Sequence, residues 1–285
     1  MDKNKQQTIT CGLYIVSTPI GNMEDITLRS IDILKKSDLI LCEDTRRSGK
    51  LLSYFKIKNK LLPYHKFNEE KISDKIINLI KKNKIISIIS DAGTPTISDP
   101  GMILINKCIK ENLNVYPIPG SSAVTAAASI SGFSEKYLFY GFLPKKEKEL
   151  RRVLLNLKDS NFSIIFFVPG IKINFYIKNF KSYFSGRNLL IARELTKIHE
   201  TFYRESVDKI KLFSNPLKGE VTIVISKKYN KNEISSNTDI TKQAMKYLKK
   251  YSLKDVVDLI SKKEKVSKKK IYQICLKIKK HEKNS

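Results

Sequence analysis

ISDAGTPTISDPG, residues 89–101, follows the apolar run KIISII (84–89) and precedes a helical pattern that opens at Met102. The run reads as a buried strand. The loop after it packs two Asp, two Gly and two Pro into positions 91–101. A bare turn needs no more than Asn-Gly, so this composition marks a strand-to-helix loop built to hold something. Similar units lie on both sides. Strands are predicted at 13–17, 38–42, 60–64, 84–90 and 113–118, with helix-period stretches at 26–34, 49–55, 72–79 and 102–109. A small-residue helix follows at 121–129. Such alternation predicts an open, mostly parallel α/β sheet.

The rhythm changes after Gly132. Strands are expected at 137–142, 162–168, 188–193, 199–206 and 220–226, with helices near 147–157, 171–180 and 206–213. Their closer spacing suggests a second α/β domain with antiparallel pairing, and GFLPKK (141–146) reads as the join. In the tail, SLKD (252–255) forms a capping box before Val256, Val257 and Ile260. Ser267 is placed to cap a further helix carrying Ile271, Ile274, Cys275 and Ile278 at helical spacing. The expected organisation is an N-terminal α/β domain (1–134), a second α/β domain with a mixed sheet (135–228) and a basic helical module (239–285).

Composition excludes several classes. The chain has 285 residues, 41% of them hydrophobic, enough for real cores. No apolar run approaches a membrane span, and the polar start MDKNKQQ lacks a signal-peptide core. The four Cys (11, 42, 108, 275) form no CxxC pair, which suits thiols in a reducing cytoplasm. The three His (65, 199, 281) have no zinc spacing, so no metal is expected. The formal charge is +26, carried by 46 Lys and only 8 Arg. Residues 227–285 hold 18 Lys against 6 acidic residues. Such a balance has two readings: codon drift on solvated faces, or attraction to a polyanion such as RNA. Where Lys is the default cation, the rare Arg mark places that need a planar, bidentate donor. Arg46 and Arg47 in CEDTRR and Arg193 in IARELTK are three of them.

In open α/β sheets ligands bind beyond the carboxyl ends of the strands. Three loops at that edge combine Gly, Pro and hydroxyl residues: STPIGN (17–22), DAGTP (91–95) and PGSSA (119–123). One such loop is a tidy turn, but three along one edge favour a cleft. The nearest glycines in the chain, 93 and 101, are eight apart. There is therefore no GxG, hence no dinucleotide fingerprint, Walker loop or glycine-rich methyltransferase loop of the common Rossmann kind. An uncharged or zwitterionic ligand, held by backbone and hydroxyls, fits better than a pyrophosphate.

The order of LYIVSTPIGNMEDITLRSIDIL, DLILCEDTRRSGKLL, SDAGTPTISDPG, PIPGSSAVTAA, GFLP, IARELTKIHE and KGEVTIVI strongly resembles the tetrapyrrole-methylase-fold family. Within it, the likeness is to the branch that methylates the 2′-oxygen of a cytidine in bacterial 16S ribosomal RNA. It covers roughly 12–226, and the helices after Leu253 resemble that branch's C-terminal region. The resemblance implies S-adenosyl-L-methionine bound between two α/β domains, a 16S rRNA substrate in the small subunit, and a homodimer. Carried over by position, the cofactor would meet Pro19, Asp91, Ala92, Gly93, Thr94, Ser121 and Ser122, with second-domain backbone near Phe167 and Ala192. In one place the chain departs from the family. An aromatic–Glu–Ser/Ala–x–His–Arg run is usual where this chain has FFVPGIK (166–172), without the acidic and basic side chains.

A ribose hydroxyl is a poor nucleophile and benefits from a general base or from oxyanion donors. Polar candidates near the cleft are Glu43, Asp44, Arg46, His65, Asn68, Arg193, Glu194 and Lys197. Asp44 and Arg46 are expected to orient substrate, with His65 as proton acceptor. Each has a plainer reading: Asp44 as a helix cap, His65 as a surface residue, Glu194 as the partner of Arg193. Two rival functions stand beside the rRNA methyltransferase. One is methylation of a tetrapyrrole precursor, and the other is a non-catalytic basic RNA-binding assembly factor.

Overall fold

The computed structural model describes residues 9–228, 237–264 and 266–283. The chain divides into two compact units, Met1–Lys227 and Lys228–Ser285.

The first unit contains two five-stranded sheets. The first sheet is built from β1 (Gly12–Val16), β2 (Leu39–Cys42), β3 (Leu61–Pro63), β4 (Ile85–Ile89) and β5 (Val115–Ile118). Every pairing in it is parallel, and the order is β3-β2-β4-β1-β5. Helices α1 (Leu28–Lys36), α2 (Thr45–Tyr54), α3 (Glu69–Lys81) and α4 (Met102–Lys110) connect the strands. Residue alternation sorts the two faces. Leu13 and Ile15 of β1 and Ile86 and Ile88 of β4 meet Ile76, Ile80 and Leu104 of α3 and α4. Tyr14, Val16 and Ile89 face Ile33, Leu34 and Leu52 of α1 and α2. Because helices cover both faces, the strands read as continuous apolar runs.

The second sheet comprises β6 (Tyr137–Phe142), β7 (Ser163–Pro169), β8 (Asn188–Arg193), β9 (Thr201–Ser206) and β10 (Glu220–Ile225), in the order β6-β7-β10-β8-β9. Only β6 and β7 run parallel; the other three pairings are antiparallel. Ile164, Phe166, Leu189, Ile191 and Ile223 pack under α6 (Glu147–Leu157) and α7 (Ile173–Tyr183). Their strand neighbours Ile165, Leu190 and Val224 face the other way, onto Val124 and Ala127 of α5 (Ala123–Ser131). The small side chains of α5 thus join the two sheets, since they let a helix lie close to a β surface. GFLPKK is no linker: Gly141 and Phe142 end β6, where Gly141 has φ +91° beside a register shift.

The helix expected at 206–213 is absent. A turn follows Ser206, whose carbonyl accepts from the N–H groups of Lys209 and Ile210. Beyond it, Asn174 of α7 accepts from the Phe213 N–H and donates to the Phe213 carbonyl, which takes both groups a helix would need. Val207 and Ile210 still reach the core, so their apolar spacing reports burial and not a helix.

The second unit is formed by α8 (Asn237–Leu248), α9 (Leu253–Glu264) and α10 (Lys268–Lys283) around Ile240, Ala244, Val256, Ile260, Ile271 and Cys275. The Ser252 hydroxyl accepts from the Asp255 N–H at 3.3 Å, one half of the expected capping box, and donates to the Asp255 carboxylate at 2.6 Å. Among the described residues no helix is long and apolar enough to cross a membrane.

Candidate functional site

The chain leaves β1 towards β2 on one side and leaves β4 towards β5 on the other, although β1 and β4 are neighbours. This is the topological switch point, where an open α/β sheet parts at its carboxyl edge. Here the loops 17–22 and 90–101 lie side by side. Thr18 and Gly93 exchange both backbone hydrogen bonds, at 2.9 and 3.1 Å.

Hydroxyl groups extend this seam. Ser17 and Thr94 share a hydrogen bond of 3.0 Å, and Thr94 donates to the Ser121 carbonyl at 3.2 Å. Thr18 donates to the Ser90 carbonyl, while Ser90 donates back to the Ala92 and Gly93 carbonyls. Ser121 donates to the Asp25 carbonyl at 3.0 Å. The Ser and Thr of the three loops therefore tie the loops to one another. Ser122 differs: it stands at the N-cap of α5 and makes no capping hydrogen bond.

Two glycines make the close approach possible. Gly93 has φ +81°, a region L side chains rarely adopt. A Cβ on Gly120 would stand 2.8 Å from the Ser17 Cβ, so the β5 and β1 loops touch only because residue 120 has no side chain. Pro19 is buried between these loops, and Ala92 is exposed at the tip of its own.

On the β2 and β3 side the site becomes charged. Asp44 caps α2, accepting from the Arg46 N–H at 2.8 Å, and pairs with the Arg46 guanidinium at 2.9 Å. The Arg46 side chain, then its backbone N–H, hold the Asp44 carboxyl down at about 2. Asp91 pairs with Arg47 at 3.2 Å and accepts from the Asp44 N–H at 3.3 Å. Arg46 and Arg47 thus each bind one carboxylate, a use that fits the scarcity of Arg. His65 follows β3 and starts a turn in which Asn68 accepts from its N–H at 2.8 Å. Its Nδ1 is buried without a hydrogen-bond partner.

The sequence reading missed Asp99, in the second half of the β4–α4 loop. Burial, then the nearby charge of Glu43, push its carboxyl up to about 6, against a smaller opposing effect of a hydrogen bond from Ser90. Nothing in DPG separates a turn-forming Asp from one with a raised proton affinity; burial in the tertiary fold, with Glu43 nearby, does that. Among the described residues no group of three or more His, Cys, Asp or Glu is placed to hold a metal ion.

Comparison with known proteins gives this geometry its kin. Residues 12–211 match the family model of the Tetrapyrrole (Corrin/Porphyrin) Methylases. The chain belongs to the tetrapyrrole methylase family. Within that family its sequence is close to the proteins named Ribosomal RNA small subunit methyltransferase I. The one from Thermotoga maritima is 44% identical over 76% of this chain and 98% of its own length. That from Mesomycoplasma conjunctivae is 41% identical over 79% and 94%, and that from Rickettsia prowazekii is 39% identical over 89% and 97%. Among solved structures, the methyltransferase CobJ superposes with a TM-score of 0.58 at 14% identity, covering 76% of this chain and 94% of CobJ. The uroporphyrin-III-C-methyltransferase from Thermus thermophilus reaches 0.52 at 15%, covering 76% and 92%. These two likenesses are of fold.

The tetrapyrrole methylase frame makes the second-sheet residues readable. Gly21 and Asn22 of the first loop pack on the IARELTK segment, whose Thr196 hydroxyl accepts from the Asn22 N–H at 3.0 Å. Glu194 accepts from Lys197 at 2.9 Å and from the Glu220 N–H at 2.9 Å. Burial pushes its carboxyl up, but those hydrogen bonds outweigh it and leave the group below its ordinary value. Arg193 donates to the Lys218 and His199 carbonyls. So Glu194 pairs with Lys197, not with Arg193, and all three side chains are used in holding this segment.

Ala192 lies in β8 between β10 and β9, its methyl buried against the α5 side. Phe167 is half-buried, packs edge-on against Phe139 and Phe142, and accepts from the Leu143 N–H through its carbonyl. FFVPGIK ends β7 and turns at Gly170, where a Cβ would stand 2.6 Å from the Leu217 carbonyl oxygen. Beyond the turn Ile171 and Lys172 face solvent. FFVPGIK thus closes β7 with a proline–glycine turn.

Proposed function

We propose that this protein transfers a methyl group from S-adenosyl-L-methionine to the 2′-oxygen of a cytidine ribose in 16S ribosomal RNA of the small subunit. The observation that carries the reading is the seam at the switch point, in a chain 39–44% identical to the named rRNA methyltransferases. The cleft suits a zwitterion without phosphate. Its hydroxyls are spent on loop-to-loop bonds, and backbone groups, the Ser122 hydroxyl and the exposed Ala92 remain to face a ligand. Pro19, Asp91, Ala92, Gly93, Thr94, Ser121 and Ser122 would hold the cofactor from the first-sheet side, with Phe167 and Ala192 as the second-sheet wall. When bound, the cofactor supplies an electrophilic methyl group on a sulfonium. The protein's task is orientation, since in-line attack demands a fixed geometry.

Arg46, anchored by Asp44, is positioned to orient a phosphate or a ribose. For the proton acceptor, Asp99 stands beside His65 as a second candidate. A carboxylate whose affinity for protons has been raised towards neutrality is a stronger base than an ordinary one, and it is half ionised near pH 6. A homodimer is part of the proposal. The edge strand β6 exposes Tyr137, Leu138, Tyr140 and Phe142, with Phe142 64% exposed, and a second copy would cover them. A ribosomal RNA substrate calls for a cytoplasmic enzyme.

The test is to incubate the protein with methyl-labelled cofactor and small subunits from cells lacking the gene, then digest the RNA to nucleosides. Label is expected on the ribose of cytidine; label on a base, or none, overturns the reading. A parallel incubation with a porphyrinoid precursor addresses the tetrapyrrole alternative. Calorimetry with the cofactor alone identifies a non-catalytic binder by absence of heat.

A further inference from the structure

We infer that the outer face of α2 is a seat for a single-stranded stretch of RNA flanking the target nucleotide. This rests on the proposed RNA substrate and adds a second contact region to it. Thr45, Arg46, Gly49, Lys50, Ser53 and Tyr54 line a shallow, open groove along the helix. They are spaced so that they fall on one face, opposite the buried Ser48, Leu51 and Leu52.

Gly49 is the informative residue. It sits inside a ten-residue helix, where glycine lowers stability relative to alanine. Its φ is not positive, and a Cβ built on it would meet nothing within 4 Å. Neither a turn nor close packing inside the protein explains it. A purely solvated helix face gains nothing from bare backbone, whereas a chain lying along the groove does.

The flanking groups have matching chemistry. Arg46 gives Nε–H and one Nη2–H to Asp44, leaving three of the five guanidinium N–H donors for a ligand. Its side chain is 88% exposed even though it is anchored, so the fork is pre-oriented and accessible. Lys50 lies one turn on and adds a point charge. Tyr54 is 59% exposed and rests edge-on against Phe55 at 4.9 Å, which offers a steadied ring for a base to stack on. Cation, bare backbone, cation and aromatic in succession fit phosphate, sugar and base of an unpaired strand. A duplex would offer no free base to Tyr54. Because Asp44, which caps this helix, also bonds to the loop bearing Asp91, a strand seated here leads directly to the cleft.

The experiment uses the full chain and two readouts. One is methyl transfer to small subunits from a strain lacking the gene. The other is direct binding of a fluorescent single-stranded RNA, with an RNA duplex as competitor. Gly49→Ala is expected to raise Tm, while KM for RNA and Kd for the single strand rise a few-fold because the added methyl covers the bare backbone. Gly49→Glu, which fills the groove with an anion, should fold and bind the cofactor normally while KM for RNA and Kd for the single strand rise about tenfold. Lys50→Gln should lower the salt slope of binding by ~0.7, because one phosphate fewer is neutralised. Tyr54→Leu should weaken single-strand binding about tenfold through the loss of stacking. Gly49→Glu with parental KM and Kd overturns the inference, as does duplex competing as well as single strand. A parent protein that binds the strand in an α2-dependent way but leaves no label on ribose overturns the proposed function and not the seat.

Discussion

Two segments of this molecule look equally functional in sequence, SDAGTPTISDPG and IARELTK, and the fold uses them in opposite ways. In IARELTK each charged group has found its partner within the second sheet: Glu194 with Lys197 and the Glu220 N–H, Arg193 with two carbonyls. In the β4–α4 loop, Asp91 is paired with Arg47, but Asp99 stays among other carboxylates, half-buried and near neutrality. The first arrangement pairs each charge; in the second, burial and then Glu43 raise the affinity of Asp99 for a proton. Polar residues at a cleft are scaffold when their hydrogen-bonding capacity is consumed internally, and chemistry when it is held in reserve.

The comparison can be broken most sharply at the loops. Gly120→Val places atoms where the Ser17 side chain already stands. Calorimetry should show cofactor affinity falling by a hundredfold or more, with about 2 kcal/mol of stability lost to overpacking. Unchanged affinity would mean that the β5 loop does not border the cofactor. Gly93→Val, at φ +81°, is a weaker test, because backbone strain alone disturbs the loop whether or not a ligand touches it.

Glu194→Ala addresses the opposite side. Losing two charge-assisted hydrogen bonds should cost about 2 kcal/mol in urea unfolding. At a temperature where the variant is folded, kcat should stay within a few-fold of the parent. A collapse of kcat in a well-folded variant would move Glu194 from scaffold to catalyst.

Removal of residues 228–285 should leave cofactor affinity unchanged, since the first-unit loops make the site. RNA binding should weaken by about tenfold at moderate salt and show a flatter salt dependence. An unaltered slope would make the lysines of the tail a matter of composition only.

The smallest effect on stability concerns Asp99. Its folded-state pKa lies above the unfolded value, so its contribution to stability is fully present below about pH 4 and is lost as pH rises through about 6. Allowing for solvent screening of a partly exposed group, Asp99→Asn should gain about 1 kcal/mol at pH 7 and nothing at pH 3.5. In the parent, the methyl-transfer rate should fall as pH drops below 6, and the variant should lose that limb along with most of its activity. A parental pH profile in Asp99→Asn would return the role of base to His65.

Much of the fold was legible because local pattern and tertiary role coincide in buried parallel strands. KIISII can be little else, and each strand of both sheets was expected within a residue or two of where it lies. The missing helix at 206–213 shows the limit. Val207 and Ile210 have helical spacing, but Asn174, distant in sequence, claims the backbone at Phe213. That three loops rich in Gly, Pro and hydroxyls gather along one edge of the sheet was legible. What those hydroxyls do was not, because Ser17, Thr94 and Ser121 meet only across strands far apart in the chain. The plainer reading of Asp44, a helix cap, is realised at α2, and its expected part in orienting substrate is compatible with that. Asp99 was illegible because its proton affinity depends first on its burial and then on Glu43, which follows β2.

The paired backbone bonds of Thr18 and Gly93 have a thermodynamic consequence. They rivet the β1 and β4 loops to each other, so the backbone at the switch point is ordered before any ligand arrives. Binding then carries little entropic cost from loop freezing, and its heat-capacity change should reflect only the surface that the ligand covers. In the empty protein the amide hydrogens of residues 18 and 93 should exchange with solvent as slowly as those of the central strands, and ligand should slow them little further.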